Sequence, residues 1–588
     1  MTATAAPPSR PRRPRPTPEP GAAPSASPLR RLRATMGLNV RSLLVHGVLF
    51  LLVLGPMLGL LYQSFAPDRG EEGGLGLQNY RAIATTGIGE AALNSILVGI
   101  GATVCSLAVG GGLAWLVART DVPGRRIVQI AGFVPLFFSA VVGALAWASL
   151  ASPTTGYLNA LLRWLHVPIT LNVYSLPGII FVLTIYYAPF AYIMIHAGFS
   201  LASGELEGAA RVHGAGAWRT ATQVTFPLVL PSIVGAAILI FVIVAENFPV
   251  VEILGSFARI NFLPTHIFRL VNEAPPRNGD ASAVGVVALA VLMVLIWLQS
   301  RYVHRRSYVT IGGKGGRPGT IHLGRWRWPA FGLAALYIVL AAVLPSIALF
   351  LGAFRKNAFY KDLNDLVDPS GFTSEHFTDA MAYEPFQTGL RNSVILAVAA
   401  AVIGVVVHFA IAYAAKRRAV RWSAAIEYVV LAPVAMPALL LGLAFVAFWL
   451  RLPIPLFGTM AILVIAYVAR FIPQGFENFA STLVKVDEQL EDSAVTAGAG
   501  RLRAVWSITL PLLRSAAAST GVLLFILAFR EVTVALFLYT PQTRPLSVVI
   551  YNQWSSGSWS RVASMSIVFT AALLLAAILG RRAMASTG

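Results

Sequence analysis

The sequence predicts an all-α polytopic membrane protein of about twelve transmembrane helices, arranged as two tandem six-helix repeats. Three observations carry this expectation: apolar runs of bilayer length recur along the chain, cationic residues gather in alternate connections, and the two halves match at fixed offsets. Composition sets the frame. Of 588 residues, 56% are hydrophobic and only 12% are charged, whereas soluble domains carry about 25% charged residues. Most of the surface is therefore expected to face lipid. The single cysteine, Cys105, lies in an apolar run, so neither a disulfide framework nor a thiolate metal site is available.

A hydrocarbon core about 30 Å thick takes about 20 helical residues at 1.5 Å each. In the first half, apolar runs of that length fall at 42–65, 94–118, 127–150, 176–198, 232–250 and 281–300. In the second half they fall at 329–352, 393–415, 424–449, 458–476, 516–538 and 563–580.

Lysine and arginine number 45 against 25 acidic residues. The surplus is not spread evenly. Arg10, Arg12, Arg13, Arg15, Arg30, Arg31 and Arg33 precede the first span, Arg119, Arg125 and Arg126 follow the second, and Arg301, Arg305 and Arg306 follow the sixth. Lys416, Arg417, Arg418 and Arg421, then Arg581 and Arg582, repeat the pattern in the second half. By the positive-inside rule these segments are cytoplasmic, so both termini are expected inside a bacterial cell membrane and the span count is even. The basic clusters lack the interleaved aromatics of a nucleic-acid groove, so the lipid bilayer and not nucleic acid is the expected partner of this charge. Residues 1–40, rich in Pro, Ala, Ser and Arg, are expected to form a disordered basic tail. They are not expected to be a cleavable signal, because the first apolar run begins only at Ser42 and continues as a full span.

The internal duplication is read from paired positions. Pro56 and Phe65 correspond to Pro345 and Phe354 at an offset of 289. Asn94, Ser95 and Pro135 correspond to Asn392, Ser393 and Pro433 at 298, and Pro189, Gly214 and Pro227 to Pro473, Gly498 and Pro511 at 284. The offset changes because the first half carries 14 more residues between Pro135 and Pro189, in a segment expected outside the cell. Two six-span halves of the same orientation are related by an axis along the membrane normal. The expected domains are residues 41–303 and 329–588, joined by a cytoplasmic linker at 304–328.

The strongest match between the halves lies between the fourth and fifth spans of each, in GELEGAARVHGAGAWRTATQVTFPLVLPS and DEQLEDSAVTAGAGRLRAVWSITLPLLRS. Each has a carboxylate, small residues, a glycine seven positions on, and a proline 13 residues beyond it. Two short helices are expected in each, turning at a glycine that takes positive φ. At these residues the chain resembles the permease subunits of binding-protein-dependent ABC importers, whose hallmark is a cytoplasmic Glu-Ala-Ala, three residues, Gly loop. The resemblance identifies Glu207, Gly208, Ala209, Ala210, Gly214 and Pro227, and Glu491, Asp492, Ala494, Gly498 and Pro511, as the coupling loops that seat in clefts of the ATPase subunits. The sequence departs from the family at Gly208 and Asp492, where the central Glu stands, and at Ser493. The two ATPase contacts are thus expected to be unequal, with Glu207 supplying the polar contact of the first.

The resemblance implies the type I ABC importer permease fold, two copies of an ABC ATPase subunit on the cytoplasmic side, and an extracytoplasmic substrate-binding protein. ATP and Mg belong to the partner, and no cofactor is expected on this chain. The nearest approach to a phosphate-binding loop, Gly312 to Gly316, lacks the first glycine and has Gly315 where the hydroxyl residue stands. Within the family, the Ala118 to Arg126 loop and the Phe529 to Pro541 segment look most like the ferric iron permeases, with thiamine, 2-aminoethylphosphonate and polyamine permeases also similar. A twelve-span secondary transporter is the reading from another class. It would need embedded ion-coupling carboxylates and has no use for a duplicated hairpin.

Polar residues near the ends of spans complete the inventory. Glu246 and Asn247 follow the fifth apolar run, and Arg530 and Glu531 stand at the equivalent place in the eleventh. They are candidate pathway residues or an ion pair between the halves, the alternative being solvation at the outer interface. Arg470 is expected to snorkel from the end of the tenth span. Pro135, Pro433, Pro437, Pro189 and Pro473 are expected to kink their spans. The nine histidines form no H-x-x-x-H or H-E-x-x-H pattern, so no metal site is expected. No catalytic set is found either, and the chain is expected to be a transport subunit and not an enzyme.

Overall fold

The computed structural model describes residues 40, 42–68, 74–83, 87–201, 204–304, 320–357, 360, 362–417, 420 and 422–587. The expected N-terminal tail up to residue 39 and linker residues 305–319 lie outside them. Among the described residues the chain is helical, and its extended pairs are two isolated bridges. Among those residues, seven helices are long and apolar enough to cross a bilayer: Ser42–Phe65, Ile88–Arg119, Leu176–Ser200, Ala221–Ala245, Gly324–Phe354, Glu384–Lys416 and Trp559–Arg582. Four further spans are bent pairs: Arg125–Leu136 with Ala140–Ala151, Ser423–Val434 with Ala438–Trp449, Met460–Arg470 with Ile472–Leu483, and Arg501–Leu512 with Arg514–Phe529. The sixth expected run falls on the helix Asn278–His304. Each of the twelve runs therefore lies on a helix, and four of those helices are broken.

The spans are inside-out relative to a soluble protein. On Ile88–Arg119, Leu93, Ile96, Leu97, Ile100 and Val104 form an exposed stripe, while Asn94, Ser95, Ala102, Thr103 and Ser106 are buried. Apolar chains facing lipid and small or polar ones facing protein are what a bilayer permits, because lipid gives no hydrophobic drive to bury leucine.

The duplication is visible in backbone detail that no composition argument reaches. A π-helical turn precedes Pro56 at Phe50–Leu54 and recurs before Pro345 at Val339–Val343. Another precedes Pro227 at Ala221–Thr225 and recurs before Pro511 at Val505–Thr509. Proline cannot donate to the carbonyl four residues back and its ring collides with it; one extra residue in the turn relieves both problems without breaking the helix. The paired Asn-Ser motif is likewise structural. Ser95 Oγ accepts the Leu263 amide and Ser393 Oγ accepts the Leu546 amide, each at 2.8 Å. Asn94 and Asn392 donate to the backbone carbonyls of Asn261, and of Gln542 and Arg544.

The repeats differ at the prolines. Pro189 sits inside the unbroken helix Leu176–Leu201, while Pro473 follows a 50° bend. Its neighbour on the second span explains this. Gly110 lets two helices touch, since a Cβ there would lie 2.2 Å from the Ala188 carbonyl oxygen. The equivalent residue, 298 positions on, is His408. Its imidazole occupies the notch at Gly475, and its Nε2 donates to the Val468 carbonyl at 3.0 Å. The bend at Phe471 interrupts the helical ladder there, and the histidine takes the carbonyl. Pro135, Pro433 and Pro437 coincide with sharper breaks of 98° and 111°. Four of the five prolines expected to kink their spans thus lie at breaks, while Pro189 sits within one continuous helix, packed closely at Gly110.

The extra residues of the first half include a short helix, Tyr157–Trp164. Asn159 pins it by donating to the Ser152 and Leu171 carbonyls and accepting the Leu171 amide. Tyr360 of the second half reaches across to donate to the Thr155 carbonyl at 2.7 Å.

Candidate functional site

Both hairpins form as two short helices around a left-handed glycine. The first runs Gly204–Val212, then Gly214 at φ +81°, then Ala217–Thr220; the second runs Gln489–Thr496, then Gly498 at φ +95°, then Arg501–Ala504. A Cβ at either glycine would meet nothing within 4 Å, so the residue is required by backbone angle and not by space. Both hairpins stand at the end of the molecule that carries the basic connections. Arg119, after the second span, donates to the Phe199 carbonyl at the root of the first, and Arg417 donates to the Val486 carbonyl at the root of the second.

The outer faces of the hairpins are apolar and open. Leu206 and Val212 are exposed on the first, and Leu490 and Val495 on the second, with Leu502 and Trp506 continuing the face. Gly208 and Ala209 are exposed and Ala210 is half-buried; the Glu207 side chain lies outside the described residues. Asp492, Gly498 and Pro511 are exposed, Ala494 and Pro227 half-buried.

Glu491 points the other way. It is 6% exposed and accepts hydrogen bonds from Tyr413 Oη at 2.7 Å and from Thr509 Oγ1. Arg417 Nε lies 3.7 Å from its carboxylate, while Arg417 Nη1 pairs with Glu488 at 3.1 Å. This carboxylate of the second hairpin is thus turned inward. Three partners from the eighth span and the start of the eleventh hold it, because a buried carboxylate needs that compensation.

Of the two readings of the membrane polar residues, burial favours the embedded one. Glu246 and Asn247 are each 8% exposed, which excludes solvation at an outer interface, and Arg530 and Glu531 are half-buried. The fifth span ends at Ala245 and a new helix, Phe248–Ala258, starts behind it, with Asn247 Oδ1 accepting the Val250 amide at its N-terminus. Asn247 Nδ2 donates to Tyr187 Oη at 2.6 Å. Glu531, 284 positions later, repeats the cap by accepting the Val534 amide at 3.1 Å.

Glu246 forms an ion pair across the repeats, and its partner is Arg470. Arg470 was expected to snorkel. Instead its side chain is 15% exposed, and it also donates to the Pro433 and Met436 carbonyls at the break of the ninth span. Burial of both partners makes the pair possible only in this mutual form. Among the described residues no ion pair joins Arg530 to Glu531. Arg530 Nη1 donates to the Leu136 carbonyl, at the break of the third span, at 3.3 Å. Sequence reasoning placed Arg470 at a span end and missed the pairing, for which opposite charges buried in different repeats were the available signal. No group of three or more metal-ligating His, Cys, Asp or Glu residues occurs among the described residues.

Comparison with known proteins finds relatives and a family. The chain is similar to the ferric transport system permease protein FbpB of Actinobacillus pleuropneumoniae, 23% identical over 406 residues, which cover 68% of this chain and 58% of that one. It is also similar to a putative 2-aminoethylphosphonate transport system permease protein, PhnV, of Salmonella typhimurium, 26% identical over 254 residues covering 42% and 93% of the two chains. Among solved structures, a bacterial ABC transporter involved in the import of the acidic polysaccharide alginate aligns with a TM-score of 0.41 and 20% identity, over 47% of this chain and 99% of that one. The family described as binding-protein-dependent transport system inner membrane component is matched twice, at residues 104–308 and 407–585. With one match in each half, and a glycine-turned hairpin inside each match, the chain belongs to that family of membrane permease components.

Proposed function

We propose that this chain is the complete translocation pathway of an ATP-driven importer, fused from two permease halves, and that its cargo is ferric iron handed over by an extracytoplasmic binding protein. The basic connections face the cytoplasm, both termini with them. Two ATPase subunits, carrying ATP and Mg, grip the two hairpins and drive the spans between inward-open and outward-open arrangements. The observation that carries this reading is the pair of hairpins, each turned by a left-handed glycine and each presenting an open apolar face on the basic side. Their geometry suits a helix seated in a partner's cleft. The buried anchor behind Glu491 suits the transmission of force into the eighth and eleventh spans.

Iron is favoured by the ferric permease relative, which aligns over both halves of this chain. A second cargo, 2-aminoethylphosphonate, is supported by the relative named for it. Thiamine and polyamine importers share the same machinery. A secondary transporter is disfavoured because Glu246, the buried carboxylate between the repeats, is neutralised by Arg470 and so is not free to couple an ion.

The test is uptake of radioactive ferric iron by cells expressing the chain with the ATPase and binding protein of its own operon, with 2-aminoethylphosphonate as competitor. Leu490→Asp and Asp492→Lys, on the open face, are expected to lower copurification of the ATPase by about tenfold or more. Undiminished assembly in both variants would remove the second hairpin from the mechanism, and competition by the phosphonate would replace iron as cargo.

A further inference from the structure

The positions 246 and 530 are equivalent under the 284-residue offset, yet one is glutamate and the other arginine. Each side chain ends at the opposite repeat. Glu246, from the first repeat, pairs with Arg470 of the second, and its carboxylate faces the Ala438 amide at the start of Ala438–Trp449. Arg530, from the second repeat, donates to the Leu136 carbonyl of the first. Both connections end at a broken span.

The breaks explain why arginines are there. In an unbroken helix the Pro433 carbonyl would accept from residue 437, but that residue is proline and has no N–H to give. The Met436 carbonyl lies at the break itself. Arg470 donates to both. Leu136 stands just before the other break, and Arg530 takes its carbonyl. Buried carbonyls without partners are costly, and a buried charge without its counter-charge is costlier. The two arginines therefore hold both breaks and both repeats together at one level of the molecule. Around them lie Tyr187, which accepts from Asn247, and Tyr467 and Ser547, which donate to the Glu531 carbonyl.

We propose that the Glu246–Arg470 pair and the Arg530–Leu136 contact form the closed gate of the pathway, a polar seam that must part for cargo to pass between the repeats. This rests on the permease reading above and deepens it by naming the residues that close the route. Opening exchanges these mutual contacts for water, so the closed state is held by the pair as a unit and not by either member alone. The gate is unequal in its two halves. Both arginines come from the second repeat, and the position equivalent to Arg470 in the first is Tyr186, whose buried hydroxyl has no hydrogen-bond partner among the described residues.

Thiol labelling tests the seam without knowledge of the cargo. Cys105 is the only cysteine, so a Cys105→Ser background carrying Thr533→Cys reports on one buried position, 7% exposed, three residues from Arg530. The probe is the membrane-impermeant 2-sulfonatoethyl methanethiosulfonate, applied to the full chain in proteoliposomes. With the seam intact, labelling is slow. Arg470→Met strands the glutamate and is expected to raise the rate at least about tenfold, whereas Glu246→Gln/Arg470→Met, which leaves no lone charge, returns it most of the way to the parent rate. Equal labelling in Arg470→Met and parent, or a double variant as fast as the single, would overturn the gate. Should Arg470→Met fail to yield monodisperse protein, Glu246→Gln keeps the shape of the site and is expected to raise labelling about threefold; no rise overturns the proposal. Radioactive iron uptake in vesicles holding the assembled importer separates the two readings: a seam that responds as expected while iron is refused supports the gate and removes only the cargo.

Discussion

The Tyr413 hydroxyl donates a 2.7 Å hydrogen bond to the Glu491 carboxylate, tying the end of the eighth span to the second hairpin. If the hairpin is the coupling element proposed above, motion imposed on it passes into the span through this contact, through Arg417 and through Thr509. Tyr413→Phe removes one bond to a charged group, worth about 2 kcal/mol, and leaves the open face untouched. Uptake by the assembled transporter is expected to fall several-fold while ATPase copurification is retained. Position 115, the equivalent in the first repeat, is Trp and offers no hydroxyl, so Trp115→Phe is expected to do less. Equal losses in the two variants, or loss of copurification in Tyr413→Phe, would count against the anchoring role.

The two glycine turns make a conformational prediction. At φ +81° and +95°, Gly214 and Gly498 occupy the left-handed region with open space around them. Alanine there carries a backbone cost of about 1–2 kcal/mol with no clash to add to it. Gly498→Ala is expected to weaken ATPase copurification measurably, valine to weaken it further, and asparagine to do so least, because asparagine tolerates this region. Thermal unfolding of the isolated chain should barely change, since the hairpin lies outside the spans.

Packing between the second and fourth spans is tested by neighbouring glycines. Gly110→Ala places a Cβ 2.2 Å from the Ala188 carbonyl oxygen, and backbone must move to admit it, whereas Gly112→Ala meets nothing within 4 Å. The first is expected to destabilise by about 1–3 kcal/mol or abolish monodisperse expression, and the second to be neutral. Both are read from thermal midpoints in detergent. A tolerated Gly110→Ala would mean that the two helices can separate at no cost, and the continuity of Leu176–Leu201 would need another cause.

Legibility in the sequence followed the physics of each feature. Spans were legible because bilayer thickness imposes a length that composition must obey, and the hairpins were legible because Gly214 and Gly498 satisfy a backbone demand that few other residues meet. The orientation of Glu491 was not legible: a carboxylate on a short helix reads as outward until Tyr413, Arg417 and Thr509 are seen around it, and those partners are 78, 74 and 18 residues away. Arg470 was misread for the same reason. Its partner Glu246 is 224 residues distant, and the sequence shows an opposite charge in the other repeat without showing which charge it meets. Local constraints were written in local sequence, whereas pairings made by tertiary packing were not.

The last part of the linker closes on the first repeat through Asp121, and this contact has a defined pH dependence. Thr120 and Ile321 form a single parallel bridge; Asp121 then accepts the Leu323 amide at 2.8 Å and faces His322 Nδ1 at 3.1 Å. The Leu323 N–H, and after it the His322 side chain, hold the Asp121 carboxyl below its usual range. A depressed carboxyl contributes fully above its unfolded value of about 3.9 and is lost only as pH falls through the lower folded value. Protection of the Leu323 amide against hydrogen exchange is therefore expected to gain nothing and lose nothing through Asp121 between about pH 8 and pH 5, and to drop below about pH 4. Asp121→Ala should remove that protection throughout, whereas Asp121→Asn retains an acceptor oxygen and should keep part of it. If protection instead declined between pH 7 and pH 5 in the parent and in Asp121→Ala alike, the bridge would be governed by some other group, and the carboxylate would not be what docks the linker to the first repeat.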